Sequence, residues 1–241
     1  MSRVIEEQKT IYQYEELSDE AKREVIYNDV EEVFFELNDA EIAKEEFTEI
    51  AEDILKESDF RGAEITDFFW DFSYSQGSGA VVCFNMNEKE IENNFPRLKE
   101  YIGTELLDGN WKEKYNLTDE EFDELLNTLR TKELSSICDI KFEVKHDNSK
   151  YANYESDYDV NCYLNQEIRY CFEDIVEDWI YHHLHNSKRL EDVESEFSHR
   201  AYEWYDKLTD VNNYNNNDFE DRWYYEDGKF AGYGSDLGVW D

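Results

Sequence analysis

Apolar and polar positions alternate at two different periods along the chain. From Glu45 to Asp59 the sequence reads EEFTEIAEDILKESD, and Phe47, Ile50, Ala51, Ile54 and Leu55 recur at helical spacing, so one helix face can pack on a core. Upstream, Ser18 can N-cap a helix with Asp19 and Glu20 in its first turn, running to about Leu37. Asn38, with Glu41 three residues later, makes a capping-box-like start for the second helix, and the two read as a helical hairpin. TIYQY (Thr10 to Tyr14) reads as a short strand. The run ITDFFWDFSYSQGSGAVVCFNM reads as two aromatic strands turning around Gly77-Ser78-Gly79. Asn87 to about Ile102 and Thr118 to about Leu134 are expected to be helical, the second with Thr118 and Glu121 as a capping box. A second strand pair, Cys138 to His146 and Tyr158 to Leu164, flanks a polar loop, DNSKYANYES, expected to be mobile. Gln166 to His185 and Leu190 to Leu208 form a second helical pair. RWYYEDGKFAGY closes with a hairpin on Asp227-Gly228. The predicted fold is α+β, an antiparallel sheet built from hairpins with helical pairs packed on it. No Pro/Gly/Ser-rich linker interrupts it and Pro96 sits in a short connection, so a single acidic domain over residues 1–241 is expected.

Charge changes this picture. The chain has 61 Asp and Glu against 24 Lys and Arg, a formal charge of -37. On the Glu45–Asp59 helix, Glu41, Glu45, Glu49 and Glu52 form one file, and Glu46, Glu49, Asp53 and Glu57 form another beside it. Like charges at these spacings oppose helix formation by roughly 0.2–0.5 kcal/mol per pair, a local cost that mixed lysines would have avoided. A field of this sign repels nucleic acid and anionic membrane and attracts basic protein surfaces, over about 8 Å at physiological salt. High charge with low hydrophobicity is a signature of disorder, but 40% hydrophobic and 16% aromatic residues are enough for a sizeable core.

The N-terminus MSRVIEEQK has no apolar h-region, and no run approaches the ~20 apolar residues that span a bilayer, so a cytoplasmic location is expected. Cys83, Cys138, Cys162 and Cys171 lack CxxC spacing and read as buried free thiols. Tyr181-His182-His183-Leu184-His185 and His199 read as surface or capping residues near a helix C-terminus rather than metal ligands. SQGSGA lacks the patterns of a phosphate cradle or an activated serine and reads as a turn. With so many carboxylates no acid/base pair can be singled out. Neither a catalytic nucleophile nor a cofactor loop is recognisable, and no enzyme activity, metal or cofactor is expected.

Several stretches together carry a likeness: YEELSDEAKREV after an aromatic strand, the central FSYSQGSGAVVCF, VKHDNSKYANYESDYDVNCY, EDWIYHHL and the terminal FEDRWYYEDGKF. From Thr10 to Phe230 the chain resembles a family of acidic phage and prophage proteins whose members often carry the label "antitoxin of toxin–antitoxin stability system". The resemblance implies a phage or mobile-element setting. Relatives tend to carry a His-rich segment after the Val-x-His, where this chain has DNSKYANYES, so a metal or nucleic-acid role resting on those histidines has no footing here.

The function expected from the charge is nucleic-acid mimicry. Carboxylates at i, i+3/i+4 recur about every 5 Å along a helix, and files of them approximate the phosphate rows that DNA-binding grooves are built to hold. The expected partner is therefore a basic nucleic-acid-binding host protein, such as a restriction or CRISPR-type nuclease, with no direct binding of nucleic acid or membrane. The candidate contact residues are Glu41, Glu45, Glu46, Glu49, Glu52, Asp53 and Glu57, then Asp119, Glu120 and Glu124, with Glu173 to Asp178 and Asp218 to Asp221 as further acidic segments. Two bland or rival readings stand beside it: a merely solvating surface, and an antitoxin-like protein that neutralises a cognate toxin through a partly apolar interface.

Overall fold

A computed structural model describes residues 10–31, 40–72, 78–185, 187–214, 216–219 and 221–233. Four strands form one antiparallel sheet in chain order: β1 (Glu64–Asp71), β2 (Gly79–Asn87), β3 (Cys138–His146) and β4 (Tyr154–Cys162). Neighbouring strands that follow one another in sequence need only short turns, except between β2 and β3, where a helical excursion intervenes. Register brings like with like. Phe84 faces Val144, Met86 faces Phe142 and Val160 faces Ile140, and all of these side chains are buried. Phe60 lies against Phe84 and Phe142, with ring centroids 5.4 and 6.2 Å away, and closes the core over the sheet. The fold is thus the expected α+β arrangement, a meander with helices packed against it.

The helices are α1 (Asp19–Glu31), α2 (Ala40–Glu57), α3 (Glu88–Asn94), α4 (Leu98–Asp108), α5 (Trp111–Lys114), α6 (Asp119–Thr131), α7 (Gln166–Ile180) and α8 (Lys188–Thr209). The chain divides into two compact units, residues 46–202 and the pair of segments 1–45 and 203–241. In the larger unit, α7 is tied to the end of β4 by Glu173. One oxygen of this buried carboxylate, Oε1, accepts from both the Cys162 N–H at 2.9 Å and the Arg169 Nε–H at 2.7 Å. In the smaller unit, β5 (Arg222–Tyr224) and β6 (Phe230–Tyr233) form the hairpin expected at Asp227-Gly228, and Gly228 takes φ +83°, which favours glycine. Tyr14 there packs on Phe219 with centroids 4.6 Å apart and the rings tilted by 36°.

Several boundaries differ from the sequence reading. Thr10 to Tyr14 is not a strand: Tyr12 makes a single bridge to Tyr224, and Tyr14–Glu16 is a 3-10 turn. Asn87 to Ile102 is two helices, because Pro96 lacks an N–H and disfavours helical backbone at Phe95, which sits at φ -124°, ψ 68°. The first of them is closed by a capping box in which Asn87 Oδ1 accepts from the Lys89 and Glu90 N–H groups. Strand β4 begins four residues earlier than expected, at Tyr154. It is a sheet-edge strand whose Glu155, Asp157, Asp159 and Asn161 point to water, and that polar face imitates a loop. The remaining turn is pinned by the Ser149 N–H on Asp147 Oδ1, the Tyr151 N–H on Ser149 Oγ and His146 Nε2 donating to the Tyr151 carbonyl. Leu37, Asn38 and Gly77 lie outside the described residues, as does the Glu41 side chain, so the helical-hairpin connection and the Asn38 cap fall there too.

Candidate partner-binding surface

Helix α2 is held by its apolar stripe. Phe47 is wholly buried, with Phe68, Trp70, Phe72 and Phe197 around it at centroid distances of 5.9, 5.3, 6.3 and 5.8 Å. All four pairs are edge-to-face, which suits the ring quadrupoles. Ile50, Ala51 and Leu55 are buried beside it and Ile54 is half-buried. The opposite face presents Glu45, Glu46, Glu49, Glu52, Asp53 and Glu57 to solvent, together with Lys44 and Lys56. Glu49 is the focus of the crowding. Its four neighbours at three and four residues either way are Glu45, Glu46, Glu52 and Asp53, all acidic.

Towards the C-terminal end of α2 the acidity is compensated. A groove of about 640 Å³ runs between this end and α8, lined by Asp53, Glu57, Asp59, Asp192 and Glu196 but also by Lys56, Arg189 and Arg200. Arg189 bonds Asp59 at 2.6 Å, and Arg200 stands 3.6 Å from Asp53. Of the α2 acids put forward from the sequence, Asp53 is therefore already engaged, and the ridge available to a partner is centred on Glu45, Glu46, Glu49 and Glu52.

Helix α6 uses its acids differently. Thr118 Oγ1 accepts from the Glu121 N–H, and the Glu121 carboxylate accepts from both the N–H and hydroxyl of Thr118, which holds it below the usual carboxylate range. Lys112 hydrogen-bonds Asp119 and lowers its pKa. Glu120 and Glu124 are exposed. This helix packs with α4 and α7, so its carboxylates do not line the α2–α8 groove. The Glu173 to Asp178 segment forms no ridge either, and of Asp218 to Asp221 the central Glu220 lies outside the described residues. Glu173 belongs to the core, and burial would raise Asp174 but hydrogen bonds from Tyr115 and Lys114 outweigh that and pull it down. Burial raises Glu177, helped by Asp174, Glu173 and Asp159.

Three of the five histidines, His182, His183 and His185, sit in a π-helical turn, Tyr181–His185, that continues α7, while His199 lies on α8. His183 Nδ1 donates to the Trp179 carbonyl at 3.0 Å with its ring stacked on the indole, and His185 Nδ1 meets Ser156 Oγ at 2.8 Å. These are contacts at a helix terminus, as expected. All four cysteines are free and buried. Among the described residues no cluster of three or more His, Cys, Asp or Glu is arranged to hold a metal ion, and no helix is long and apolar enough to cross a membrane.

One carboxyl escaped the sequence reading. Glu194 on α8 is only 5% exposed, and neither carboxyl oxygen reaches a hydrogen-bond partner among the described residues. Burial pushes its pKa up to about 8; the Val82 N–H faces it without closing a hydrogen bond and offsets only part of that cost. The signal was present in the sequence: on α8 the buried stripe runs Leu190, Val193, Glu194, Phe197 and Ala201, and Glu194 occupies an apolar position in it. No protein-family model, curated protein or solved structure matches the chain.

Proposed function

We propose that the chain is a non-enzymatic decoy that occupies the cationic groove of a nucleic-acid-binding protein, using the solvent-facing carboxylates of α2. The observation that carries this reading is the focus at Glu49, where five acids crowd one face of a helix whose other face is fixed by Phe47 and its aromatic neighbours. The arrangement costs helix stability, and a cationic partner turns that cost into attraction. Net charge of -37 steers a basic protein towards the chain and keeps nucleic acid away. The likeness to acidic phage and prophage proteins supports a setting in which the target is a host defence nuclease of the restriction or CRISPR type.

A second reading has its own observation. In the smaller unit, Val25, Tyr224, Phe230 and Tyr233 line a cleft of about 350 Å³ together with the polar Asn28, Asp29, Arg222 and Lys229, and Phe230 and Tyr233 are 52% and 46% exposed. Exposed rings beside charged groups favour an antitoxin-like, partly apolar contact with a single cognate protein.

The test is a pull-down from phage-infected host lysate at low and high salt, followed by competition between the chain and the captured partner's own DNA or RNA. Under the decoy reading the wild type competes, binding weakens steeply with salt, and simultaneous reversal of Glu45, Glu46, Glu49 and Glu52 to lysine abolishes competition while the fold persists. A reversed variant that competes as well as the wild type would rule out α2. Loss of binding through Phe230→Ala and Tyr233→Ala instead would favour the antitoxin-like reading.

A further inference from the structure

Buried polar groups are almost always hydrogen-bonded, because an unpaired one keeps the cost of losing water without recovering it. Glu194 is a charged-type residue in that position. It borders a cleft of about 280 Å³ formed by Ala80 and Val81 on β2, Ala152 and Tyr154 on the other side, and Glu191, Glu194, Ser195 and Ser198 on α8, with both of its carboxyl oxygens covered. The cleft exists because its walls are small. Gly79 beside it has no room for a side chain, since a Cβ there would stand 2.9 Å from Ser198 Oγ and 3.2 Å from the Ala152 methyl. Ser198 Oγ already accepts the Ala80 N–H at 3.2 Å and keeps a second lone pair.

We propose that this cleft is a binding site for a primary alkylammonium group, the tip of a lysine side chain. The chemistry of the lining selects it. The methyls of Ala80, Val81 and Ala152 suit a methylene stem, Glu194 supplies the counter-charge by turning its covered carboxyl towards the cleft, and the serine and tyrosine oxygens can accept the remaining N–H groups of a compact three-donor cation. A planar guanidinium needs a wider, two-sided carboxylate fork, and an apolar guest would leave Glu194 as unsatisfied as before. Glu191 adds negative charge from the same helix. Among the described residues the other titratable groups facing Glu194 are Tyr154 on β4 and Cys83 on β2; burial raises the pKa of each first, and the Glu194 charge adds to it, so both are neutral when the ammonium arrives. Glu194 holds a proton at neutral pH and must release it to pair with the cation, which couples binding to proton release. The site rests on the decoy reading only for what would carry the lysine, a basic partner protein.

The experiment needs no partner. The full chain is titrated with Nα-acetyl-lysine methylamide, with n-butylamine and with the uncharged Nα-acetyl-norleucine methylamide. Binding is followed by calorimetry in buffers of different ionisation heat and by amide shifts at Ala80, Val81 and Ser195. The two amines should bind and the norleucine analogue should not. Affinity should rise from pH 6 to pH 8, with close to one proton released per amine at pH 7. Glu194→Gln should weaken amine binding by about tenfold or more, and Ala152→Leu, which fills the cleft and keeps the carboxyl, should do the same. Stronger binding of butylamine than of the lysine amide would assign the site to free amines. Equal binding of the norleucine analogue, or no amine-dependent shift in a folded chain, would overturn the proposal. The lysine reversals on α2 should leave amine binding intact, so failure of the decoy reading and failure of this site are read separately.

Discussion

Glu49 on α2 and Glu194 on α8 carry the same carboxyl group, one surrounded by water and four other acids, the other 5% exposed and alone. The exposed group is disfavoured by each like-charged neighbour by only roughly 0.2–0.5 kcal/mol, because water screens it. The buried group meets no partner among the described residues and avoids a far larger cost by keeping its proton. A chain can therefore accumulate dozens of surface carboxylates at small expense and hold almost none in the core without a partner. The ridge on α2 suits diffuse, salt-sensitive attraction summed over many weak pairs, and the cleft at Glu194 suits one cation of defined shape. Helix α6 stands between the two extremes: its exposed Asp119 pairs with Lys112, and its half-buried Glu121 closes the cap at Thr118.

The most disruptive way to break the comparison is to remove what holds α2 in place. Phe47→Ala takes a fully buried ring from among four aromatic neighbours and should lower stability by about 3–5 kcal/mol in a denaturant titration. A loss below about 1 kcal/mol would mean that the site collapses around the gap, and that the acidic face of α2 is not held rigid by this ring.

Next in size is the pH response of the core carboxyl. Glu194 has its pKa raised from 4.5 to about 8, so between those values the unfolded chain ionises it and the folded chain resists. Stability contributed by this group is fully present below about pH 4.5 and is lost as pH rises towards 8, at up to about 1.4 kcal/mol per pH unit. Asp119, Glu121, Asp147, Asp174 and Asp227 are shifted down, and their contribution has the opposite sign: present above the ordinary carboxylate range and lost as pH falls through their folded values. Crowding alone predicts that acidification stabilises; with both sets, stability should rise from pH 8 to about 5 and then fall. Glu194→Gln should flatten the slope between pH 5 and 8 and leave the acid limb unchanged. An unaltered slope, measured by urea titration at half-unit steps, would place the proton uptake elsewhere.

The two regions also differ in how far the sequence disclosed them. The α2 ridge was legible because exposed charge and buried Phe47, Ile50, Ala51 and Leu55 follow one helical period. The capping box at Thr118 and the hairpin at Asp227-Gly228 were legible for the same reason, as local chemistry with a fixed spacing. What was lost depends on tertiary pairing. Tyr154 to Asp157 belongs to a strand only because β3 offers it a register, Arg200 reaches Asp53 from a different helix, and the cleft over Glu194 needs Ala80, Ala152 and Ser198 brought together from three distant segments. The break at Pro96 could have been read from the sequence, since proline ends a helix whatever surrounds it.

A smaller effect tests the intermediate case. Thr118→Ala removes the hydroxyl that caps α6 and should cost about 1 kcal/mol, with the pKa of Glu121 moving back up as it loses that hydrogen bond. NMR titration of the Glu121 carboxyl and thermal unfolding of the same variant measure the two together. If neither moves, the capping box contributes nothing in solution and α6 becomes another solvated acidic helix, like α2.

The smallest effect is the one most diagnostic of the ridge. Glu49→Lys converts four like-charge neighbours, Glu45, Glu46, Glu52 and Asp53, into opposite-charge neighbours without touching the buried stripe. Each pair is worth a few tenths of a kcal/mol on an exposed helix, and the four share one lysine, so a net gain of about 0.5 kcal/mol is expected rather than the full sum. Glu49→Gln removes repulsion without adding attraction and should give about half of that. Glu120→Lys is the control from α6, where Asp119 and Glu121 are already bonded to Lys112 and Thr118 and a first-turn acid favours the helix dipole, so reversal there should destabilise slightly. Screening sharpens the distinction. The gain at Glu49 should shrink as salt rises from low ionic strength towards 1 M, where the Debye length falls to about 3 Å, because the wild type is the form that salt relieves. Equal thermal stabilities for wild type and Glu49→Lys at low salt would show that the five carboxylates do not feel one another, and with that the energetic reason for a cationic partner to prefer this face would be gone.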